Sequence, residues 1–286
     1  MLVSRPQVVV HVAVSLDGAT TGFEPDVGRF YALARTWPED VTLAGADTIL
    51  AQERALADAP RPGPAADGPL LAVVDGRGRV RQWDALRDCG YWRDVLALRS
   101  AATPADARRE PVREIVAGVE RVDLAAALGA LLETEDARVV RVDSGGALIG
   151  ALLGDALVDE LSLLVHPCLA GPAGNSVWHG AGRPPAHALE LLASEPFDDG
   201  LVWLRYRTYP SAPAAEGRGK RRRKRSTSGL LPSISMAPER SAGASRPPCQ
   251  SSADSVPVSV SIVASGASAL PRATSSRPSA TRAWKR

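Results

Sequence analysis

Residues 139–171 carry the clearest pattern in the chain, VVRVDSGGALIGALLGDALVDELSLLVHPCLAG. The β-branched run at Arg138–Val142 predicts a buried strand, and Ala147–Leu153 has the apolar content of a packed helix. Between them, Ser144-Gly145-Gly146 predicts a tight turn, and Glu160–Val165 predicts a second strand that a proline ends. A strand, a helix and another strand in this order are typical of a parallel α/β unit.

The same alternation extends through the first 210 residues. Val8–Val14 is almost continuously β-branched, which suits a central strand covered on both faces. Ala188–Ser194 and Leu201–Tyr209, joined by Asp198-Asp199-Gly200, have the pattern of a hairpin. The pattern predicts an α/β fold with a mixed, mostly parallel sheet flanked by helices and a C-terminal hairpin. Further strands are expected at Val41–Ala44, Leu70–Val74, Val95–Leu98 and Ile115–Ala117, and helices from Asp26 to about Trp37, at Thr48–Leu56 and at Leu124–Leu132.

Charge is distributed unevenly along the 286 residues. Residues 1–210 contain 20 Arg, no Lys and 29 Asp plus Glu, which gives a net charge of −9. Residues 211–286 contain 14 Lys plus Arg and 3 Asp plus Glu, which gives +11. The overall charge of +2 therefore describes neither part. We expect a folded domain at 1–210 and a separate extension at 211–286.

The extension contains 17 Ser and 8 Pro but one aromatic residue, so it cannot bury enough apolar surface to offset the entropy of ordering. We expect a disordered basic tail. Its dense charge run, RGKRRRKR at 218–225, has two interpretations. It either binds nucleic acid, an anionic surface or an import receptor, or it is a solvated segment without a fixed role. The lack of aromatic residues between the basic ones favours the second interpretation.

Cysteine usage and hydropathy restrict the protein class. Cys89, Cys168 and Cys249 are odd in number and far apart, which argues against a disulfide framework or a zinc site. No segment approaches 18 uninterrupted apolar residues, and the N-terminal apolar run is interpreted as a strand rather than a signal peptide. The four histidines lack paired spacing and are interpreted as structural. We expect a cytoplasmic protein without a metal site.

Four loops follow predicted strands, at the edge where open α/β sheets bind ligands. In Ser15-Leu16-Asp17-Gly18, the carboxylate of Asp17 either faces a ligand or the amides of another loop, or it forms a local Asx turn. In Gly45-Ala46-Asp47-Thr48, the glycine permits close approach to the backbone and Thr48 begins a helix. Contact with a phosphate or ribose and an ordinary helix cap both fit this second loop.

The other two loops are suited to anions. Arg77, Arg79 and Arg81 alternate after Asp75, which predicts one cationic side of an extended segment that binds phosphate, or else a solvated turn. Asp143–Leu148 places two glycines before a helix, where free amides and the positive end of the helix dipole favour an anion. This loop matches neither the GxGxxG fingerprint nor the GxxxxGK[ST] phosphate loop.

Taken in order, VAVSLDG at 12–18, LAGADTIL at 43–50, PLLAVVDGRGRV at 69–80 and the 139–171 stretch resemble the pyrimidine reductases of riboflavin biosynthesis. That family includes the C-terminal domain of the bifunctional bacterial deaminase–reductase, and the resemblance spans about residues 6–209. It implies a dihydrofolate-reductase-like fold, a homodimer and NADPH as cofactor. The implied reaction reduces 5-amino-6-(5-phosphoribosylamino)uracil to the ribitylamino compound.

The resemblance also implies roles for individual residues. Asp17, near the nicotinamide, is the candidate catalytic residue, and Ser15, Glu24 and Gln52 are candidates for substrate contact. The candidate cofactor-binding residues are those of the second, third and fourth loops: Gly45, Thr48, Asp75, Asp143, Ser144, Gly145, Gly146, Ala147 and Leu148.

Three segments depart from the family pattern, one of which is the glycine loop, with Ser144 for a Gly and Ala147 for a Thr. The loop after Gly18 reads ATTGFEPDVGRFY where the family has a Trp-Ile-Ser segment, and Gln52 stands at a family Asp position without a matching Arg downstream. The cofactor side therefore matches better than the substrate side. Two other functions stay open: a reductase of the same fold acting on another small heterocycle or imine, and a non-catalytic nucleotide-binding protein whose tail engages nucleic acid.

Overall fold

The valine-rich segment near the N-terminus lies inside a nine-stranded sheet, as its composition predicts. The computed structural model describes residues 5–107, 111–173, 177–180 and 187–210. Every strand expected from the sequence is present, with bounds that differ by one or a few residues. The strands are β1 (Gln7–Ser15), β2 (Val41–Gly45), β3 (Leu70–Val74), β4 (Asp94–Arg99), β5 (Arg113–Val116), β6 (Val139–Val142), β7 (Glu160–His166), β8 (His187–Pro196) and β9 (Val202–Pro210).

The strand order is β5-β4-β3-β2-β6-β1-β7-β9-β8. The seven strands from β5 to β7 are mutually parallel, whereas β9 is antiparallel to β7 and β8 is antiparallel to β9. After β1 the chain leaves one position open, builds outward through β2 to β5, and returns to insert β6 between β2 and β1. The chain therefore changes direction beside β6, and such a point opens a crevice at the carboxyl ends of the strands.

Helices cover both faces of the sheet. They are α1 (Val27–Ala34), α2 (Ala46–Leu50), α3 (Glu53–Ala57), α4 (Trp83–Asp88), α5 (Leu124–Glu135) and α6 (Gly146–Gly154). Helices α5 and α6 pack on one face, and α1 to α4 pack on the other. The carboxylate of Asp123 accepts the backbone N–H of Ala126 and so caps α5. None of the helices in the described part of the chain is long and apolar enough to span a membrane.

The local structure differs from the sequence-based predictions in three places. The helix expected to reach Trp37 ends at Ala34, because the N–H groups of Thr36 and Trp37 bond to carbonyls three residues back and tighten the last turn. The segment Thr48–Leu56 is broken into α2 and α3 around Gln52. Helix α4 was not expected, and it forms because the ring of Trp83 and two further apolar side chains fill the core beside β3 and β4.

The alternation of the three arginines after β3 is also broken. Gly78 has φ of +63°, and a Cβ there would lie 2.2 Å from the Cβ of Ala107, so only glycine fits this turn. Beyond the turn, the guanidinium of Arg81 donates to the carbonyl of Gly78 and lies 3.9 Å from Asp106. Arg81 therefore leaves the side on which Arg77 and Arg79 lie.

The predicted tail at 211–286 falls outside the described residues.

Candidate active site

A cleft of about 670 Å³ opens at the carboxyl ends of β2, β3 and β6. Its floor is the start of α6, and its walls are the loops after β2 and β3 together with residues 120–122 before α5. Eight of the nine predicted cofactor-binding residues line it, and the ninth, Asp143, does not. The eight are Gly45, Thr48, Asp75, Ser144, Gly145, Gly146, Ala147 and Leu148.

Two hydroxyl groups join the loops of this cleft. The Oγ1 of Thr48 lies 3.0 Å from the Oγ of Ser144 and accepts the backbone N–H of Gly145 at 3.2 Å. The Oγ of Ser144 in turn accepts the N–H of Gly45 at 3.1 Å. The start of α2 and the start of α6 are thereby held side by side, although 96 residues separate the two hydroxyls in sequence.

The two adjacent glycines at the start of α6, the cap Gly145 and the first helical residue Gly146, have different roles. A Cβ built on Gly145 would have nothing within 4 Å, so this backbone position faces open space in the cleft. A Cβ on Gly146 would lie 2.2 Å from the carbonyl oxygen of Val177 and 2.4 Å from the N of Gly180. Gly145 therefore leaves the helix N-terminus accessible, where the first amides lack intrahelical partners. Gly146 instead lets the loop around residue 178 pack directly on the helix.

Arginine side chains give the mouth of the cleft its cationic character. Arg77 and Arg121 line it, and neither makes an ion pair or side-chain hydrogen bond with any described residue. Arg79 also lines it, but its guanidinium donates to Asp47 across the mouth at 2.6 Å. Asp75 lies at the base with both carboxylate oxygens accepting backbone N–H groups of the same loop at 2.8 and 3.0 Å. Asp75 therefore fixes the loop that presents the arginines.

The loop after β1 is tied to the loop after β7 through Asp17. Its carboxylate accepts the hydroxyl of Ser15 at 2.5 Å and the backbone N–H groups of Ala170 and Gly171 at 3.0 and 3.1 Å. These hydrogen bonds, that from Ser15 first, lower the pKa of Asp17 to about 2. Asp17 thus contacts the amides of another loop, one of the interpretations of this motif, and it is ionised at neutral pH.

The remaining substrate candidates are dispersed. Ser15 is buried and also bonds to Ala19, and Glu24 is exposed on the connection to α1. Gln52 is buried between α2 and α3, and its Oε1 has no hydrogen-bond partner among the described residues. None of the three lines the cleft. The roles assigned to them, and that assigned to Asp17, stay predictions.

A charge network that was not predicted from the sequence lies behind the cleft and is formed by Glu39, Arg141, Asp143 and Tyr31. The guanidinium of Arg141 makes two hydrogen bonds to Glu39, at 2.8 and 3.0 Å, and one to Asp143 at 3.2 Å. The hydroxyl of Tyr31, on α1, approaches the same oxygen of Asp143 at 3.5 Å. The only sequence signal was one arginine inside an apolar strand, since a buried charge requires a partner.

The chain matches the model of the RibD C-terminal domain over residues 6–203. It belongs to that family. A curated relative from Archaeoglobus fulgidus, named 2,5-diamino-6-ribosylamino-4(3H)-pyrimidinone 5′-phosphate reductase, is 33% identical over 191 residues, which cover 58% of this chain and 83% of the relative. This relative is named as a reductase, which places the chain in a family of oxidoreductases.

Solved structures confirm the expected fold. A pyrimidine reductase-like protein from Corynebacterium diphtheriae has a TM-score of 0.55 and 17% identity, covering 72% of this chain and 93% of its own. The riboflavin biosynthesis reductase of Saccharomyces cerevisiae has a TM-score of 0.54 and 21% identity, covering 72% and 90%. At these identities the likeness concerns the fold alone. It confirms a mixed, mostly parallel sheet of the RibD-like reductase type.

The cleft of this RibD C-terminal domain fits a nicotinamide dinucleotide. The open face at Gly145 exposes the amides at the start of α6, and a phosphate is the group that such a helix terminus accommodates. The hydroxyls of Thr48 and Ser144 lie beside it, and Arg77 and Arg121 supply positive charge at the mouth. Sequence analysis missed Arg121, because it lies in a loop that follows an edge strand without a recognisable motif.

Proposed function

We propose that this protein is an NADPH-dependent reductase that converts the ribosylamino side chain of a pyrimidine 5′-phosphate into a ribitylamino side chain, as in riboflavin biosynthesis. The observation that carries the proposal is the open helix terminus at Gly145 among cationic and hydroxyl side chains, in a chain of this family. The named activity of the archaeal relative supports the substrate class. The expected 5-amino-6-(5-phosphoribosylamino)uracil and the diamino compound in that name share the same ribosylamino group.

Different residues of the cleft bind different parts of the cofactor. The amides that begin α6, with Thr48 and Ser144, bind the pyrophosphate and the adjoining ribose. Arg77 and Arg121 bind the 2′-phosphate, because guanidinium groups form bidentate contacts with phosphate oxygens. The bound dinucleotide supplies a hydride for the reduction. Asp17 keeps the loops after β1 and β7 together, so that the substrate is positioned beside the nicotinamide and shielded from water.

A binding experiment on the full chain tests the cofactor part. Gly145→Asp introduces a carboxylate into the open space beside the helix terminus, so NADPH affinity is expected to fall by two orders of magnitude. The matched variant Gly145→Ala places only a methyl group in that space and is expected to stay within about threefold of the unmodified protein. Equal NADPH binding by all three proteins, measured by calorimetry, would show that the cofactor does not use this cleft.

A second pair of variants tests the preference for NADPH over NADH. Arg77→Gln removes a guanidinium that lines the cleft, and Arg81→Gln removes one that lies outside it. The ratio of NADH to NADPH dissociation constants is expected to fall about tenfold in the first variant and to stay unchanged in the second. An unchanged ratio in both would assign 2′-phosphate recognition to other residues.

Turnover assays identify the substrate. The aminouracil and the diaminopyrimidinone ribosylamine phosphates are supplied separately with NADPH, and product is followed by mass spectrometry. Reduction of either one establishes the reaction, and the ratio of kcat/KM values shows which base is preferred. If NADPH binds but neither compound is reduced, the alternative of a different heterocycle or imine replaces this proposal.

We also propose that the protein is a cytoplasmic homodimer and that the outer face of the C-terminal hairpin forms the interface. Strand β8 is the sheet edge, and Leu189 and Leu191, on one face of it, are about half exposed. An apolar strand edge of this kind tends to pair with another strand. Sedimentation of the full chain is expected to give a dimer, and Leu191→Lys is expected to give a monomer. A monomeric unmodified protein would refute this assembly.

A further inference from the structure

We propose that Asp143 and Tyr31 form the proton-delivering pair of the reduction, with Glu39 and Arg141 as positioning residues that hold Asp143 in place. This inference rests on the proposed function, since it assigns a role within that reaction. It gives Asp143 a different task from the cofactor contact expected from the sequence. Asp143 is 1% exposed and does not line the cleft.

The contacts of Asp143 are asymmetric. Its Oδ2 accepts from the guanidinium of Arg141 and lies 3.5 Å from the hydroxyl of Tyr31, whereas its Oδ1 is buried and has no hydrogen-bond partner among the described residues. A buried carboxylate oxygen without a partner is costly, and protonation of the carboxyl group, which removes its charge, relieves that cost. The site therefore raises the proton affinity of this carboxyl group above that of an exposed aspartate.

The charges around Asp143 oppose each other. Arg141, two residues earlier on β6, favours the carboxylate, but Glu39 binds Arg141 through two hydrogen bonds and supplies a second negative charge. Tyr31 faces the pair from α1, and His11 on β1 faces Arg141. Burial is the largest influence, and the pKa of Asp143 is raised to about 6. A group with a pKa near the working pH is suited to proton transfer.

Tyr31 is the less buried member of the pair. Its side chain is half-buried, while Asp143 is closed off behind it. Burial and the neighbouring Asp143 carboxylate raise the pKa of Tyr31. The Tyr31 hydroxyl therefore gives up its proton only if another group reprotonates its oxygen in the same step. Asp143 is placed to return that proton. Asp17, the candidate named from the sequence, is already ionised and cannot supply one at neutral pH.

A reduced nicotinamide dinucleotide held in the cleft, the co-reactant of the proposed function, would supply the hydride for the new C–H bond at C1′ of the open-chain imine, while the C=N π electrons move to nitrogen. The nitrogen takes the proton of the Tyr31 hydroxyl, and the proton of Asp143 moves to the oxygen of Tyr31. The imine is reduced, the dinucleotide is oxidised, and Asp143 is left as a carboxylate beside Arg141. Proton uptake from solvent restores it.

Direct titration tests the acid without relying on turnover. Carbon-13 NMR of the full chain with labelled aspartate is expected to show one carboxyl resonance that titrates near pH 6 and is missing in Asp143→Asn. Glu39→Gln removes a negative charge and is expected to lower that pKa. Tyr31→Phe removes a hydrogen bond to the carboxylate and is expected to raise it. An Asp143 resonance that titrates near 4 would overturn the proposal, whatever the activity.

Kinetics test the delivery. Asp143→Asn and Tyr31→Phe are expected to lower kcat by 10²-fold or more while NADPH still binds, because the proton transfer is lost and the cleft is intact. In the unmodified protein, kcat/KM is expected to fall as pH rises through 6, and Glu39→Gln is expected to move that fall to lower pH. Asp155→Asn, at an exposed carboxylate beyond α6, serves as the control with an unaltered profile.

The outcomes separate the two proposals. Loss of NADPH binding in the unmodified protein defeats the proposed function. Cofactor binding without reduction of either pyrimidine defeats the proposed substrate, and the delivery step falls with it. Normal turnover and an unchanged pH profile in Asp143→Asn defeat the inference alone and leave the proposed function standing.

Discussion

The two sides of the site are built in opposite ways. The open side, at the ends of β2 and β3 and the start of α6, is a cleft lined by backbone amides, hydroxyls and arginines. The buried side, around β1, β6 and α1, contains a four-residue charge network centred on the buried side chains of Arg141 and Asp143. One side is exposed so that a large ligand can enter it. The other side encloses Arg141 and Asp143, and this burial raises the pKa of Asp143.

The largest expected effect belongs to the buried side. Arg141→Met leaves Glu39 and Asp143 without their shared counter-charge, and the free energy of unfolding is expected to fall by about 4 kcal/mol. Urea denaturation measures this change. The triple variant Glu39→Leu, Arg141→Met, Asp143→Leu removes every charge and is expected to recover most of the loss. If the single variant is as stable as the unmodified protein, Arg141 is not the centre of this network.

The next effect separates packing from binding on the open side. Gly146→Ala forces a methyl group against the backbone of Val177 and Gly180 and is expected to cost about 3 kcal/mol in unfolding free energy. Gly145→Ala meets open space and is expected to change it by less than about 0.5 kcal/mol. Thermal denaturation of the two variants distinguishes them. Equal losses would mean that the two glycines share one role.

The pH dependence of stability tests the buried side again. The pKa of Asp143 is raised from 3.8 to about 6, so the native state holds a proton that the unfolded state releases. The stabilisation from this group is therefore complete below pH ~4 and is lost as pH rises to ~6. Between these values the unmodified protein is expected to lose about 2 kcal/mol relative to Asp143→Asn. Parallel stability curves would place the proton elsewhere.

The smallest effect concerns the hydroxyl pair on the open side. Thr48→Val removes the group that bonds to Ser144 and accepts the N–H of Gly145, and it is expected to cost about 1 kcal/mol of stability. NADPH affinity is expected to fall severalfold, because the start of α6 is less firmly placed. Thr134→Val, whose hydroxyl bonds to its own helix on the surface, is the control and is expected to leave affinity unchanged.

Local pattern in the sequence was sufficient for most of the fold. All nine strands and the capped helices were expected, because β-branched runs, glycine turns and Asp caps act over a few residues. Helix α4 was missed because only three of its six residues are buried and the preceding arginine-rich turn hid its start. The bend at Gly78 was missed because it depends on Ala107, a residue 29 positions away.

The sequence by itself determined the sheet, the glycine loop and the position of the candidate anion site at the start of α6, since each depends on neighbouring residues. The tertiary structure decided which residues meet. It separated Gly145 from Gly146 and moved Arg81 away from Arg77. It also enclosed Asp143 in a network that includes Glu39, 102 positions from Arg141, and Tyr31, 112 positions from Asp143. Burial and charge depend on such distant contacts, so proton affinities at this site could not be deduced from the order of residues alone.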